Sequence, residues 1–266
     1  MDWHRVADSV HGGERITVHR GPGTGPALVL AHGMEDSWLS WEPLIAGLHG
    51  RFTPYALDLP WRPGGDYAWR ADPGPAALLA AAVALVPQPV TVLAGHSYGA
   101  GAVLELLAFG FTPTAAVLVA PHYRPPGDED GPELVARESA RFAGVIAEGV
   151  RLRLGPRATT LDPGLVETMI GKTLDRIGPG GVQALLHQFL VCSRLPLGDV
   201  RVPTLVITGS ADPALAGPRT TALRAAMPAA TIHTRPGAGH FIHVQDSDRV
   251  GAEIRAFLDT VRVPTA

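Results

Sequence analysis

The chain has 266 residues, enough for one α/β domain with a substantial core. Apolar residues make up 46% and charged residues 18%, which excludes wholesale disorder. Asp and Glu number 25 against 22 Lys and Arg, a net charge of −3, with neither a basic excess for nucleic acid nor a polybasic run for a membrane surface.

Two short alternating segments, near 3–10 and 14–20, flank His11-Gly12-Gly13 and predict an antiparallel hairpin. ALVLAHG at 27–33 is a nearly continuous apolar run; burial on both faces predicts a central parallel strand. Trp38, Trp41, Leu44, Ile45 and Leu48 recur at helical spacing over 38–49. TPYALDLP at 53–60 predicts a strand, and 74–86 a helix with Pro75 in its first turn. VTVLAG, ending at Gly95, predicts the next strand, feeding a helix over 98–109, and AAVLVAP at 115–121 another buried strand. From 122 to about 200 no buried strand is visible. A loop rich in Pro, Gly and acid at 125–133 leads into three helical stretches, near 132–150, 162–176 and 180–193. The alternation resumes with a strand at 203–209, a helix near 217–227, a strand at 230–237 and a final helix near 246–261. Strand–helix alternation predicts a parallel sheet with helices on both faces, interrupted by a helical insertion.

Open parallel sheets bind ligands beyond the carboxyl ends of their strands. Four strands are followed there by reactive or permissive residues: His32-Gly33-Met34, His96-Ser97-Tyr98-Gly99, Ser210-Ala211-Asp212, and the turn carrying His240. A serine, an aspartate and a histidine thus fall at one sheet edge, in that chain order. Gly95-His96-Ser97-Tyr98-Gly99 resembles the nucleophile elbow of the α/β-hydrolase superfamily. HGM resembles its oxyanion loop, GSAD and GAGHF its acid and histidine turns. One such motif is weak; four in order, each after its strand and together spanning nearly the whole chain, are specific.

The resemblance implies an α/β-hydrolase fold: a mostly parallel eight-stranded sheet flanked by helices. Its core would comprise 1–121 and 201–266, with a helical cap or lid at 122–200 inserted between strands 6 and 7. It further implies a serine hydrolase. A serine hydroxyl is a poor nucleophile near neutrality, so Ser97 needs a base. His240 would take its proton and return it to the leaving group, and Asp212 would fix the imidazole tautomer. The backbone N–H groups of Met34 and Tyr98 would form the oxyanion hole. The expected substrate is a small to medium apolar ester, thioester or lactone, cleaved through a Ser97 acyl-enzyme with no metal or organic cofactor. A carrier-protein-bound acyl substrate is compatible with this. C–C bond hydrolysis, lyase or cyclase chemistry on the same triad, and a receptor-like protein with slow turnover, stand as alternatives. Ser97 argues against epoxide hydrolases and haloalkane dehalogenases, whose elbow carries an aspartate.

The remaining residues have plainer readings. Asp58 and His122 also follow strands and are rivals to Asp212; Asp58 reads as a loop anchor. His32, His96 and His243 read as supporting hydrogen-bonders. Glu35 and Asp36 read as solvated loop charges, with groups at the pocket mouth as the second reading. Trp38 and Trp41 either line the pocket entrance or pack. In the insertion, Phe142, Met169, His187 and Phe189 are candidate substrate contacts. Cys192, the only cysteine, reads as a buried hydrophobe. No spacing points to a metal. Neither a signal peptide nor a membrane-length apolar run is visible, so a soluble cytoplasmic protein is expected.

Overall fold

The computed structural model describes residues 1–48, 50–127, 131–213 and 217–261. Two expectations fall partly outside them: His49, at the end of the first predicted helix, and 128–130 in the acidic loop. Eight strands form one sheet in the order β1-β2-β4-β3-β5-β6-β7-β8. They are β1 His4–His11, β2 Glu14–Arg20, β3 Ala27–Ala31, β4 Thr53–Asp58, β5 Val90–His96, β6 Ala115–Val119, β7 Thr204–Gly209 and β8 Thr231–Arg235. The first hairpin pairs antiparallel, and β2 pairs antiparallel with β4; every later pairing is parallel. Strands β3, β5, β6 and β7 carry mostly aliphatic residues because both their faces are covered, and β3 and β6 are buried at every position.

Helices cover both faces of the sheet. They are α1 Glu42–Ala46, α2 Pro75–Ala84, α3 Ser97–Ala108, α4 Pro132–Leu154, α5 Arg157–Thr160, α6 Pro163–Cys192, α7 Pro218–Ala226, α8 Ile242–Gln245 and α9 Ser247–Thr260. One apolar core lies between the sheet and α2, α3 and α6, and a second between the sheet and α1 and α9. Helices α4 to α6 fill the chain between β6 and β7. No helix among the described residues is long and apolar enough to cross a membrane.

Two local predictions change in detail. The helix expected over 38–49 is split: a 3-10 turn, Trp38–Trp41, is capped by Ser37 Oγ on Leu39 N at 3.2 Å and gives way to the short α1. Pro43 starts that second piece, where its missing N–H costs nothing. The helices expected near 162–176 and 180–193 are joined as α6, bent where Gly178 takes φ 55° just before Pro179.

The junction of β5 and α3 is held by one close approach. A Cβ at Gly99 would lie 2.4 Å from the His32 carbonyl oxygen and 2.6 Å from that of Ala31, so helix and strand touch backbone to backbone. Gly99→Ala must push α3 off the end of β3. We expect it to destabilise the fold by about 2–3 kcal/mol, the usual cost of overpacking, read as a lower urea midpoint. A midpoint within error of the parent would contradict that packing.

Candidate active site

Ser97 closes β5 and opens α3 with φ 53°, a left-handed backbone that a non-glycine residue adopts only under constraint. The preceding residue, His96, is still extended, so the chain reverses within one residue and aims the serine off the strand end. Ser97 lines a cavity together with Gly33, Met34, Tyr98, His122 and His240. Met34, Phe142, Val145, Leu185, Phe189 and Phe241 make its walls largely apolar, and Glu138 and Arg141 add two charges.

His240 follows β8 and is buried. Its Nδ1 lies 2.9 Å from Asp212 Oδ1, at the turn after β7. Carboxylate oxygen can only accept, so Nδ1 carries the proton and Nε2 is the basic nitrogen. Nε2 has no hydrogen-bond partner among the described residues. Burial alone would depress this imidazole. The charge and hydrogen bond of Asp212 outweigh that, with Glu148 and Asp36 adding to them, and hold its pKa above the ordinary value.

The loop after β3 faces the serine. A Cβ at Gly33 would sit 3.2 Å from Ser97 Cβ and 2.9 Å from His96 Nδ1, so only glycine lets the loop come this close. Asp36 N donates to Gly33 O at 3.3 Å, closing a tight turn. Its third residue, Glu35, is left-handed at φ 58°, a position where glycine is usual. Three contacts hold it there. Glu35 N donates to Trp61 O at 2.8 Å, and its buried carboxylate takes the Tyr67 hydroxyl and both terminal nitrogens of Arg176, on α6. The loop is held from behind as well. His32 Nε2 accepts from Leu59 N at 3.1 Å, which leaves Nδ1–H to donate to Gly33 O at 2.8 Å. Met34 and Tyr98 both line the cavity beside Ser97, and Tyr98 lies in the first turn of α3, where backbone N–H groups have no partner within the helix.

Glu35 and Asp36 are therefore not solvated loop charges; both are buried. The sequence shows two acids in a polar turn, and only the folded chain shows Arg176 arriving from 141 residues away. The candidate substrate contacts divide. Phe142 and Phe189 line the cavity. Met169 is on the exposed side of α6, His187 lines a surface groove with Phe109 and Leu190, and Trp38 stacks on His19, 4.0 Å between ring centres, and packs against Trp3. Met169 and His187 lie on faces of α6 other than the one carrying Leu185 and Phe189, and Trp38 packs beside the first hairpin. Sequence reasoning missed Glu138, Arg141 and Val145. They share a helical face with Phe142, at spacings of three, four and seven, and that periodicity was the available signal.

His122 lines the cavity without touching Asp212's role. Gln188 Nε2 donates to Tyr98 O at 2.9 Å, so its Oε1 faces His122 Nδ1, also at 2.9 Å. Nδ1 is then the donor. Burial lowers the pKa of His122 to about 3, keeping it neutral with Nε2 as an acceptor. Asp58 keeps to its loop, 3.9 Å from Arg62 Nε. Behind the site, Asp36, His96 and His243 place ligand atoms within 4.8 Å of one another. Asp36 Oδ2, His96 Nδ1 and both His243 nitrogens have no hydrogen-bond partner among the described residues. Two neutral imidazoles and a carboxylate suit a zinc-like cation, and the same atoms suit a buried water.

A model of the alpha/beta hydrolase family matches residues 28–253. A 2-(acetamidomethylene)succinate hydrolase from Mesorhizobium japonicum is 24% identical over 271 residues, covering 92% of this chain and 92% of that protein. Among solved structures, an esterase from Rhodococcus sp. ECU1013 superposes with a TM-score of 0.69 at 23% identity, covering 98% of this chain and all of that one (100%). An epoxide hydrolase from Vigna radiata gives 0.70 at 19% identity, with 97% and 98% coverage. At these identities the structural likeness is one of fold.

The Asp212–His240 pair makes a titration prediction. In the parent, His240 should titrate above the free-histidine value of about 6.5. In Asp212→Asn the raising charge is gone and burial remains, so the His240 pKa should fall below that value. Histidine ¹H–¹⁵N correlation spectra across pH read both; an unmoved titration in the variant would sever the pair.

Proposed function

The chain belongs to the alpha/beta hydrolase family, and on that footing we propose that it is a serine hydrolase acting through an acyl-enzyme on Ser97. The substrates are carboxylic esters, thioesters or lactones of small to medium size. The observation that carries this reading is the Asp212–His240 pair sharing one cavity with a left-handed Ser97. A family match alone leaves the reaction open, because this fold hosts many chemistries. The related solved structures include an esterase and an epoxide hydrolase, so the choice rests on the residues at the site.

His240 Nε2 takes the Ser97 hydroxyl proton as Oγ attacks the substrate carbonyl carbon. The carbonyl oxygen gains the negative charge, and the N–H groups of Met34 and Tyr98 stabilise it, aided by the N-terminal end of α3. The tetrahedral species collapses and His240 passes its proton to the departing alkoxide or thiolate. Water then repeats the sequence on the acyl-enzyme, with His240 again as base, and releases the acid and free Ser97. Asp212 stays ionised and stabilises the imidazolium formed in each half. All the bond-making falls to this chain's own side chains and backbone.

We read 122–200 as a cap over this cavity. Its helices supply Phe142, Val145, Leu185 and Phe189 to the walls, which keeps bulk water from the acyl group. Arg176, from the same segment, holds Glu35 and through it the turn that presents Met34 N.

Two expected outcomes test the proposal. A fluorophosphonate probe should label the parent at Ser97, and Ser97→Ala should abolish labelling and lower kcat on short p-nitrophenyl esters at least about 10³-fold. No labelling of folded parent protein would remove Ser97 as the nucleophile. Arg176→Ala should lower kcat about tenfold, ~1.4 kcal/mol of barrier, with KM nearly constant, because it loosens a group used only when charge develops. A rise in KM at constant kcat would assign Arg176 to substrate binding instead.

A further inference from the structure

We propose that the substrate carries a carboxylate, and that Arg141 receives it at the cavity wall. This rests on the serine hydrolase reading, because it names the substrate class of that same cavity. Arg141 is on α4 with Glu138, Phe142 and Val145, on the helix face that lines the cavity. Apart from Glu138 and the residues around Ser97 and His122, the walls it joins are apolar.

Its one hydrogen bond among the described residues runs from Nη1 to Glu138 Oε1, at 2.8 Å. A guanidinium has five N–H donors in a planar fork. Glu138 does not need this partner. Arg219, from α7, already grips it at two points, Nη1 to Oε2 at 3.0 Å and Nη2 to Oε1 at 2.8 Å, and Arg137 Nε reaches Oε1 at 3.3 Å. The Arg219–Glu138 pair is enclosed, with side-chain exposures of 7% and 2%, and satisfies itself. The Arg141 side chain is 37% exposed, so its charge stays hydrated on one side and open to a ligand on the other.

A guanidinium set in an apolar wall attracts anions more strongly than one in open solvent, because the local dielectric is low. Its fork fits a carboxylate at two oxygens, and such charge-assisted bonds are about twice as strong as neutral ones. The same wall would receive the hydrocarbon stretch between the anion and the acyl carbon held at Ser97. A neutral aliphatic ester would leave the guanidinium to Glu138 and water alone.

The test compares esters matched in carbon count: monomethyl succinate, glutarate and adipate against methyl butanoate, pentanoate and hexanoate, followed by pH-stat. We expect the parent kcat/KM to favour at least one monoacid over its neutral partner by tenfold or more. Arg141→Leu should cut that ratio at least tenfold, and Arg141→Lys should keep part of it. If Arg141 only braces Glu138, its loss lowers both members of a pair alike and the ratio stays; that result, or a parent ratio of one or less, overturns the proposal. Fluorophosphonate labelling of the same samples reports separately on Ser97. If Ser97 proves inert, calorimetry decides the anion site: the three monoacids should bind Ser97→Ala at least tenfold more tightly than Ser97→Ala/Arg141→Leu. Equal or absent binding to the two would dismiss it.

Discussion

The left-handed backbone at Ser97 is the constraint on which the rest of the site depends. A non-glycine residue in this region costs on the order of 1–2 kcal/mol, and the surroundings must impose it. Here β5 is fixed between β3 and β6 in parallel register, and α3 is pressed against the end of β3 at Gly99. The chain has one residue in which to change direction, and that residue is the serine. The same closeness brings the Gly33 turn against Ser97, so the strained serine and the turn that carries Met34 are set by one packing event.

Five buried histidines surround this event, and burial treats four of them alike. It lowers His32 to about 4, His122 and His243 to about 3, and His96 well below the ordinary value. These imidazoles stay neutral near pH 7 and act as fixed hydrogen-bonding groups or plain packing. His240 is equally buried, yet its pKa is raised, because it alone meets a carboxylate at hydrogen-bond distance. One contact thus separates His240 from its neighbours: burial keeps four imidazoles neutral, while the Asp212 carboxylate favours the protonated form of the fifth.

Much of this was legible in the sequence, for physical reasons. The buried parallel strands follow from apolar runs that two-sided burial explains, and the gathering of Ser97, Asp212 and His240 at one sheet edge from their places just after such runs. Ser97, Asp212 and His240 lie at chain positions that the sheet must bring to one edge. Glu35 was misread because its surroundings are non-local: Tyr67 and Arg176 reach it from 32 and 141 residues away. Met169 and His187 were misplaced because helical periodicity gives spacing along a helix and not which face the tertiary fold buries; Met169 is exposed and His187 opens on a surface groove. The charged wall of α4 was visible as Glu138 and Arg141 in step with Phe142 and Val145. A sequence reader looking for a hydrophobic stripe discards the two charges, and the structure shows that they belong to it.

The helices between β6 and β7 are fastened to the rest of the chain by two ion pairs of opposite sense. Arg176 reaches down from α6 to Glu35 in the turn after β3, while Glu138 on α4 is met by Arg219 from α7. Both carboxylates are enclosed, so desolvation offsets most of the attraction, but removing either arginine leaves an uncompensated charge inside the protein. The pairs therefore act as register marks. Apolar packing tolerates small shifts, whereas each enclosed carboxylate requires its arginine within hydrogen-bond reach. That requirement ties α6 to the Glu35 turn, which follows Met34. α4 and α6 also supply Phe142 and Phe189 to the cavity that Ser97 lines. The apolar wall of that cavity and the seating of the Glu35 turn are therefore not independent. Both are fixed by how the α4–α6 helices seat on the sheet, and a substitution that shifts that seat alters the two together.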